Sequence, residues 1–233
     1  MQNQKPAVVF DNKEASSYND QFTKLVPIRN TLNLLIQMVL SDLPANARIL
    51  CVGVGTGKEL LYLAQVFPKW QFTAVEPAAP MLDICHQLVD ECGFASRCTF
   101  HEGYLDSLPE SELFDAATCI LVSHFLKPIE ERQKFFRQIA ARLRPDGYLV
   151  NADISSDMTT TAYKNLFDVW VHTLKYSGMP DEQVEKFSAA LGKDVAVLPP
   201  QEIESIISSS GFDTPVLFLQ TLFIHAWFAK RVS

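Results

Sequence analysis

Short apolar runs alternate along this chain with longer segments in which apolar residues recur every three or four positions. The runs have the length of buried strands and stand at 49–52, 71–76, 98–102, 114–121 and 148–154. The longer segments have the period of amphipathic helices and stand at 31–41, 58–67, 81–91 and 128–143. This alternation predicts an α/β fold, with a mostly parallel sheet and helices on both faces.

The alternation stops after Ile154. Two helical segments, 160–176 and 181–191, then follow each other with no strand between them. We interpret residues 155–198 as a helical insertion over the carboxyl ends of the strands, where open α/β sheets bind their ligands. Such an insertion would serve as a substrate lid.

The two ends of the chain complete the predicted organisation. Residues 1–30 are polar and punctuated by prolines, so we expect an N-terminal cap segment. After a further helix, two apolar runs at 215–222 and 223–229 adjoin so closely that they should pair as a hairpin. The predicted units are a cap segment, 1–30, a cofactor-binding core, 31–154, the insertion, 155–198, and a closing helix and hairpin, 199–233.

Composition narrows the class of protein. The chain has 233 residues, enough for one α/β core, and no window of about 18 uncharged apolar residues of the kind that spans a membrane. Its net charge of -7 gives no electrostatic footprint for nucleic acid. The five cysteines form no CxxC pair, and the N-terminus lacks the apolar core of a signal peptide. We therefore expect a soluble cytoplasmic protein.

Three glycines at alternate positions, Gly53, Gly55 and Gly57, directly follow the first strand. A turn of glycines can take positive φ angles and lets a ligand lie against the backbone. The helix that begins near Lys58 offers unpaired N–H groups to an anion. The stretch is therefore predicted to be a ligand-binding strand, turn and helix.

The spacing of the glycines separates the classes of ligand. A P-loop needs four residues between its first glycine and its Gly-Lys-Ser/Thr. Here three residues separate Gly53 from Gly57, and Glu59 occupies the hydroxyl position, which disfavours a Mg-nucleotide site. A dinucleotide turn reads GxGxxG, whereas Lys58 makes this one GxGxG. Glu76 ends the second strand, where its carboxylate can accept hydrogen bonds from both ribose hydroxyls of a nucleoside.

Five stretches resemble, in order, the motifs of the class I S-adenosylmethionine-dependent methyltransferases: 49–57, 74–77, 102–105, 114–115 and 143–147. The resemblance covers about residues 29–233. It implies a Rossmann-like seven-stranded sheet whose last strand is antiparallel, and S-adenosylmethionine as the cofactor. Two positions depart from the pattern, because Cys51 and Tyr104 stand where many members carry an acid.

The resemblance also implies the cofactor contacts. The three glycines would contact the methionine part of the cofactor and Glu76 the ribose hydroxyls. The other implied contacts lie at the ends of the next strands, around the adenine and the sulfonium: Pro77, Met81, Gly103, Tyr104, Leu105 and Ile120. Arg29 would pair with the cofactor carboxylate or be a solvated arginine, and Tyr18 would close over the cofactor or anchor the N-terminal segment.

His124 follows the fourth strand and is the candidate general base, because imidazole titrates near neutrality. The alternative is that it caps the following turn. Asp153, Tyr163 and His172 are candidate contacts to the acceptor, although Trp170 and His172 are two apart on a helix and cannot share a face. No metal site is predicted, because the histidine and cysteines near the third strand lack paired short spacings.

The resemblance implies methyl transfer by in-line displacement, which alignment and desolvation can largely drive. The acidic surface and the apolar insertion favour a small organic acceptor over nucleic acid, and no membrane partner is expected. The layout also resembles the tRNA-uridine carboxy-S-adenosylmethionine synthases, although Lys186 stands in the stretch where those enzymes hold the extra carboxylate with an arginine. A non-catalytic cofactor-binding protein is a further alternative, and the oligomeric state stays open, with a homodimer as one option.

Overall fold

The predicted strands form one sheet in the computed structural model, which describes residues 23–232. Its strands are β1 (Arg48–Val52), β2 (Gln71–Glu76), β3 (Cys98–Glu102), β4 (Phe114–Ile120), β5 (Leu143–Ile154), β6 (Val216–Thr221) and β7 (Ile224–Lys230). Its α-helices are α1 (Val26–Val39), α2 (Lys58–Val66), α3 (Ala79–Glu91), α4 (Ile129–Ala140), α5 (Thr161–Ser177), α6 (Asp181–Ala190) and α7 (Pro200–Ser208). Each predicted element is therefore present, and the largest differences in its ends are at α1 and β5.

The strands lie in the order β3-β2-β1-β4-β5-β7-β6. The pairs from β3 to β5 are parallel, and β7 is antiparallel to both of its neighbours, β5 and β6. This confirms the predicted seven-stranded, mostly parallel sheet with an antiparallel last strand. The chain changes direction across the sheet between β1 and β4, and the crevice at their carboxyl ends is where open α/β sheets bind ligands.

Helices cover both faces of the sheet. On β1, Ile49 and Cys51 pack with α1, α2 and α3, whereas Leu50 and Val52 pack with α4 and α7 on the other face. This alternation follows from the period of two along a strand. Residues 114–119 of β4 are all buried, which explains why that strand is a nearly unbroken apolar run, with Asp115 and Thr118 as its polar members.

The start of β5 differs from the prediction. The stretch 144–147 was expected to be a turn before a strand at Tyr148, but the strand already begins at Leu143. Leu143 pairs with Phe114 and Tyr148 with Ala116, so the residues between them bulge opposite Asp115 alone. The Asp115 carboxylate stabilises this bulge, because it accepts a 2.7 Å hydrogen bond from Arg144 Nη1.

Helix α1 begins at Val26 instead of the predicted residue 31. Pro27 lies in its first turn, where proline is tolerated because its missing N–H would have no helical partner. The helix therefore takes in the end of the predicted cap segment. Tyr18, in that segment, lies outside the described residues.

The two ends of the predicted insertion, 155–198, lie side by side. Ser155 and Leu198 form an isolated bridge, and Ser155 Oγ donates a 2.8 Å hydrogen bond to the Leu198 carbonyl oxygen. Between them, α5 and α6 enclose a small apolar cluster of their own around Leu174 and Val184. Within residues 23–232, no helix is both long enough and apolar enough to cross a membrane.

Candidate functional site

The glycine turn between β1 and α2 has the backbone that only glycines adopt easily. Gly53, Gly55 and Gly57 have φ angles of +65°, +55° and +80°. A Cβ on Gly53 would lie 2.4 Å from Val122 Cγ2, and one on Gly57 would lie 2.5 Å from Cys85 Sγ. A Cβ on Gly55 would meet no atom within 4 Å. The turn is therefore packed at both ends and open at its middle, which leaves room for a ligand against Gly55.

Glu76, the last residue of β2, holds the open part of the turn. Its Oε2 accepts a 2.9 Å hydrogen bond from Gly55 N, and its Oε1 accepts a 3.0 Å bond from Ala78 N. Burial raises the pKa of this carboxyl, although the two N–H donors oppose the shift. Each oxygen keeps a second lone pair, so the carboxylate can still accept the hydroxyl groups of a ribose.

The other predicted cofactor contacts differ in their exposure to solvent. Met81 and Leu105 are buried, Pro77 is exposed, and Ile120 ends β4. Gly103 N donates a 3.0 Å hydrogen bond to the Glu76 carbonyl oxygen, which joins the ends of β3 and β2 and brings the start of the segment with Tyr104 next to the acid. Apart from Arg29 and Tyr18, the set therefore gathers at the carboxyl ends of β1 to β4.

Arg29 belongs to α1 and lines a separate cavity. This cavity of about 440 Å³ lies between α1 and α2 and is also lined by Lys58, Tyr62 and Gln65. Lys58 is the first residue of α2, so one end of the cavity adjoins the glycine turn. The cavity does not include Glu76 or the ends of β2 and β3.

His124 and Asp153 form a buried pair at the carboxyl ends of β4 and β5. His124 Nδ1 lies 2.7 Å from Asp153 Oδ1, and the His124 backbone N–H donates to the same oxygen at 3.0 Å. Ser123 Oγ donates to the other oxygen, Oδ2. Because an ionised carboxylate only accepts hydrogen bonds, Nδ1 carries a proton, and in the neutral form of the ring Nε2 then keeps its lone pair. Among residues 23–232 no group bonds Nε2.

The environment keeps Asp153 ionised. Burial raises the pKa of its carboxyl, but the His124 hydrogen bond, the charge that this ring carries when it is protonated, the charge of Arg132 and the Ser123 hydroxyl together bring the pKa below its usual value. Arg132 is fully buried in α4, where it donates to the carbonyl oxygens of Leu126 and Ala196 at 3.3 Å. Asp153, a predicted acceptor contact, is fully buried, and one of its carboxylate oxygens, Oδ1, makes both of the contacts with His124.

The segment that joins β4 to His124 connects the pair to the glycine turn. Leu121 has a φ angle of +59°, which is unusual for a residue with a side chain. Its N–H donates a 2.8 Å hydrogen bond to the Ala152 carbonyl oxygen of β5. Val122 then packs against Gly53, as the missing Cβ of that glycine allows. The strained residue therefore places His124 beside the turn.

The insertion contains two predicted acceptor contacts, Tyr163 and His172, and they lie in different environments. Tyr163 packs on Phe223, with ring centroids 5.2 Å apart, and the Phe223 carbonyl oxygen accepts a 2.8 Å bond from Ser155 N at the end of β5. His172 is exposed on α5. Trp170, two residues before it, packs on Phe223 with its ring centroid 5.6 Å away. The structure brings Tyr163 towards the end of β5 and leaves His172 outside.

One carboxyl at the site was missed by the sequence reasoning. Glu59, in the first turn of α2, accepts a 2.6 Å hydrogen bond from Thr118 Oγ1 of β4. Burial raises the pKa of Glu59 to about 7. The sequence did contain a signal for this carboxyl, because the acid directly precedes Leu60 on the part of an amphipathic helix that faces the sheet.

No group of His, Cys, Asp and Glu residues within 23–232 has the arrangement of a metal site. The cysteines Cys51, Cys85, Cys92, Cys98 and Cys119 are all free thiols.

Comparison with known proteins points to the same region. Residues 49–147, from β1 to the bulge in β5, match the family model of a methyltransferase domain. The carboxy-S-adenosyl-L-methionine synthase of Campylobacter lari is 24% identical over 206 residues, which cover 87% of this chain and 86% of that protein. The synthase of Campylobacter jejuni strain RM1221 is 23% identical over 217 residues, with 91% and 88% covered.

Solved structures of O-methyltransferases share the fold. Human N-acetylserotonin methyltransferase, in complex with S-adenosylmethionine, aligns with a TM-score of 0.66 and 15% identity over 96% of this chain. An O-methyltransferase family protein from Burkholderia thailandensis gives the same three values. This chain spans 57% and 61% of the lengths of those two chains. The domain match and the sheet order together show that this chain contains a methyltransferase domain over residues 49–147 and has the fold of S-adenosylmethionine-dependent methyltransferases.

Proposed function

We propose that this protein transfers a methyl group from S-adenosylmethionine to a small organic acceptor, and that His124 removes a proton from the acceptor. The observation that carries the proposal is the 2.7 Å contact between His124 Nδ1 and Asp153 Oδ1 beside the glycine turn. An imidazole held in this way has its Nε2 lone pair available as a base. The acceptor is then one whose reacting oxygen or nitrogen carries a proton.

The residues of the site suit this cofactor. The open side of Gly55 accommodates the methionine part, and the Glu76 carboxylate accepts the ribose hydroxyls. When bound, S-adenosylmethionine supplies a methyl group on a sulfonium, which is a good leaving group. Tyr163, packed over the β6–β7 turn, and the insertion around it would cover the acceptor and exclude water.

Net charge and free thiols support two further parts of the proposal, the kind of acceptor and the cellular compartment. The net charge of -7 disfavours a nucleic-acid acceptor. The free thiols suit a reducing compartment such as the cytoplasm.

Isotope-labelled methyl transfer tests the proposal. The protein is incubated with S-adenosylmethionine that carries a ¹³C-methyl group and with a panel of small hydroxylated and amine acceptors, and products are identified by mass spectrometry. We expect a labelled acceptor and an equal amount of S-adenosylhomocysteine. If the wild type binds S-adenosylmethionine but gives no labelled product with any acceptor, a non-catalytic binding role is favoured instead.

A second candidate is modification of the cofactor itself. It is supported by the carboxy-S-adenosyl-L-methionine synthases, whose similarity extends over 87% and 91% of this chain. Mass spectrometry of the ligand that copurifies from bacterial cells separates the two candidates. A cofactor that carries one additional carboxylate would support this second function and contradict methyl transfer as the main activity.

A further inference from the structure

The crevice between β1 and β4 contains a carboxyl group that the proposed methyl transfer does not use. Glu59 reaches from the first turn of α2 to Thr118 of β4, with 2.6 Å between Oε1 and Oγ1. Thr118 pairs with Cys51 of β1, and both residues are fully buried. The carboxyl therefore lies across the point where the strand order reverses, two residues beyond the last glycine of the turn.

No basic side chain within residues 23–232 forms an ion pair with Glu59. The titratable groups that interact with it from the surrounding elements are thiols: Cys51 of β1, Cys119 of β4 and Cys85 of α3. Burial raises the pKa of each thiol, so all three are neutral at neutral pH. A partly buried carboxylate without a positive partner is costly, and a cationic ligand group beside it removes that cost.

We propose that Glu59 binds the α-ammonium group of the methionine part of S-adenosylmethionine. The inference rests on the proposed function, because it requires this cofactor at the glycine turn. In the proposed complex the methionine part lies over the turn, and Glu59 stands two residues after its last glycine, with its carboxyl bonded to Thr118 of β4. On β1 the chain has the thiol of Cys51 where the resembling family often has an acid, and Glu59 supplies a carboxylate beside that position from the helix.

The alternative is that Glu59 has only a structural role, in which its hydrogen bond with Thr118 holds α2 against β4. Glu59→Gln separates the two roles, because the amide oxygen still accepts the Thr118 hydrogen bond while the negative charge is lost. The matched control is Glu102→Gln, on the exposed end of β3. Circular dichroism of each variant verifies that the fold is kept.

The test compares two ligands by titration calorimetry. S-adenosylhomocysteine carries the α-ammonium group, whereas 5′-methylthioadenosine keeps the nucleoside and lacks the amino acid. We expect Glu59→Gln to weaken the binding of S-adenosylhomocysteine by about tenfold to a hundredfold, the scale of a hydrogen bond to a charged group. Binding of 5′-methylthioadenosine should stay within about twofold of the wild type, and Glu102→Gln should change neither affinity.

The dependence on pH gives a second readout. Because Glu59 must be ionised to bind the ammonium, wild-type affinity for S-adenosylhomocysteine should rise from about pH 6 to about pH 8, and the rise should be absent in Glu59→Gln. Unchanged affinity in Glu59→Gln, or an equal loss for both ligands, overturns this proposal alone. If the wild type binds neither ligand, the proposed function fails as well.

Discussion

His124 and Asp153 lie 29 residues apart in the chain, yet His124 Nδ1 and Asp153 Oδ1 meet at 2.7 Å. The contact arises because β4 and β5 are neighbouring parallel strands, so that their carboxyl ends lie together. In the proposed methyl transfer, the carboxylate fixes the tautomer of the neutral imidazole and leaves Nε2 for the acceptor. Asp153 would then position the base, and its predicted contact with the acceptor stays a prediction.

Replacement of His124 by asparagine should lower kcat by about 10²-fold to 10⁴-fold, the usual contribution of a general base. Affinity for S-adenosylmethionine should change little, because the imidazole serves the acceptor. Steady-state kinetics with the acceptor found by labelling, together with calorimetry, measure both quantities. The matched control is His86→Asn on the exposed side of α3, which should leave kcat unchanged. Full activity of His124→Asn would remove the base from the mechanism.

Replacement of Glu76 by alanine should weaken cofactor binding by about 1 to 3 kcal/mol, the scale of lost hydrogen bonds to a buried polar ligand. Part of the loss comes from the turn itself, because Gly55 N and Ala78 N lose their acceptor. Glu102 is the register neighbour of Glu76 on β3 and is exposed, so Glu102→Gln is the control. An unchanged dissociation constant for Glu76→Ala in calorimetry would mean that the ribose lies elsewhere.

Alanine at two glycines of the turn should have different consequences. In Gly53→Ala the new Cβ meets Val122, and the positive φ adds about 1 to 2 kcal/mol, so urea denaturation should show a clear loss of stability. Val122→Ala in the same chain should restore part of it. In Gly55→Ala the methyl group enters open space, so the loss of stability should be limited to the strain of the positive φ angle. The same methyl group should block the cofactor. Equal stability of the two single variants would contradict this packing.

The raised pKa of Glu59 should make the ligand-free protein less stable as pH rises. The folded protein keeps the proton up to about pH 7, whereas the unfolded chain releases it near 4.5, so stability falls between these values and then stays constant. The loss is at most about 3 kcal/mol. Urea denaturation should therefore find Glu59→Gln close to the wild type near pH 5 and more stable than it near pH 8. A constant difference across this range would contradict the burial of the charge.

The sequence predicted the parts of the fold that depend on local pattern. The apolar run of β1 and the nearly unbroken one of β4 are visible in the chain, and the glycine turn is visible because glycine adopts positive φ angles more easily than other residues. The bulge at the start of β5 was taken for a turn, because its cause is the Asp115 carboxylate on a neighbouring strand. Local pattern contains no information about that contact.

For the site, too, the sequence alone pointed only to residues that are connected by their spacing along the chain. Glu76 was found from its distance to the glycines along the chain, since a strand and a helix of ordinary length separate them. The bond between His124 and Asp153 and the contact of Glu59 with Thr118 join residues 29 and 59 positions apart. These contacts follow from the strand order, which was not predicted from the sequence.

The central claim is that the glycine turn binds S-adenosylmethionine and not a dinucleotide. The most direct measurement is calorimetric titration of the wild-type protein with S-adenosylmethionine and, separately, with NAD. The account predicts saturable binding of one S-adenosylmethionine per chain and no heat of binding with NAD. Binding of NAD, or no binding of S-adenosylmethionine, would contradict it.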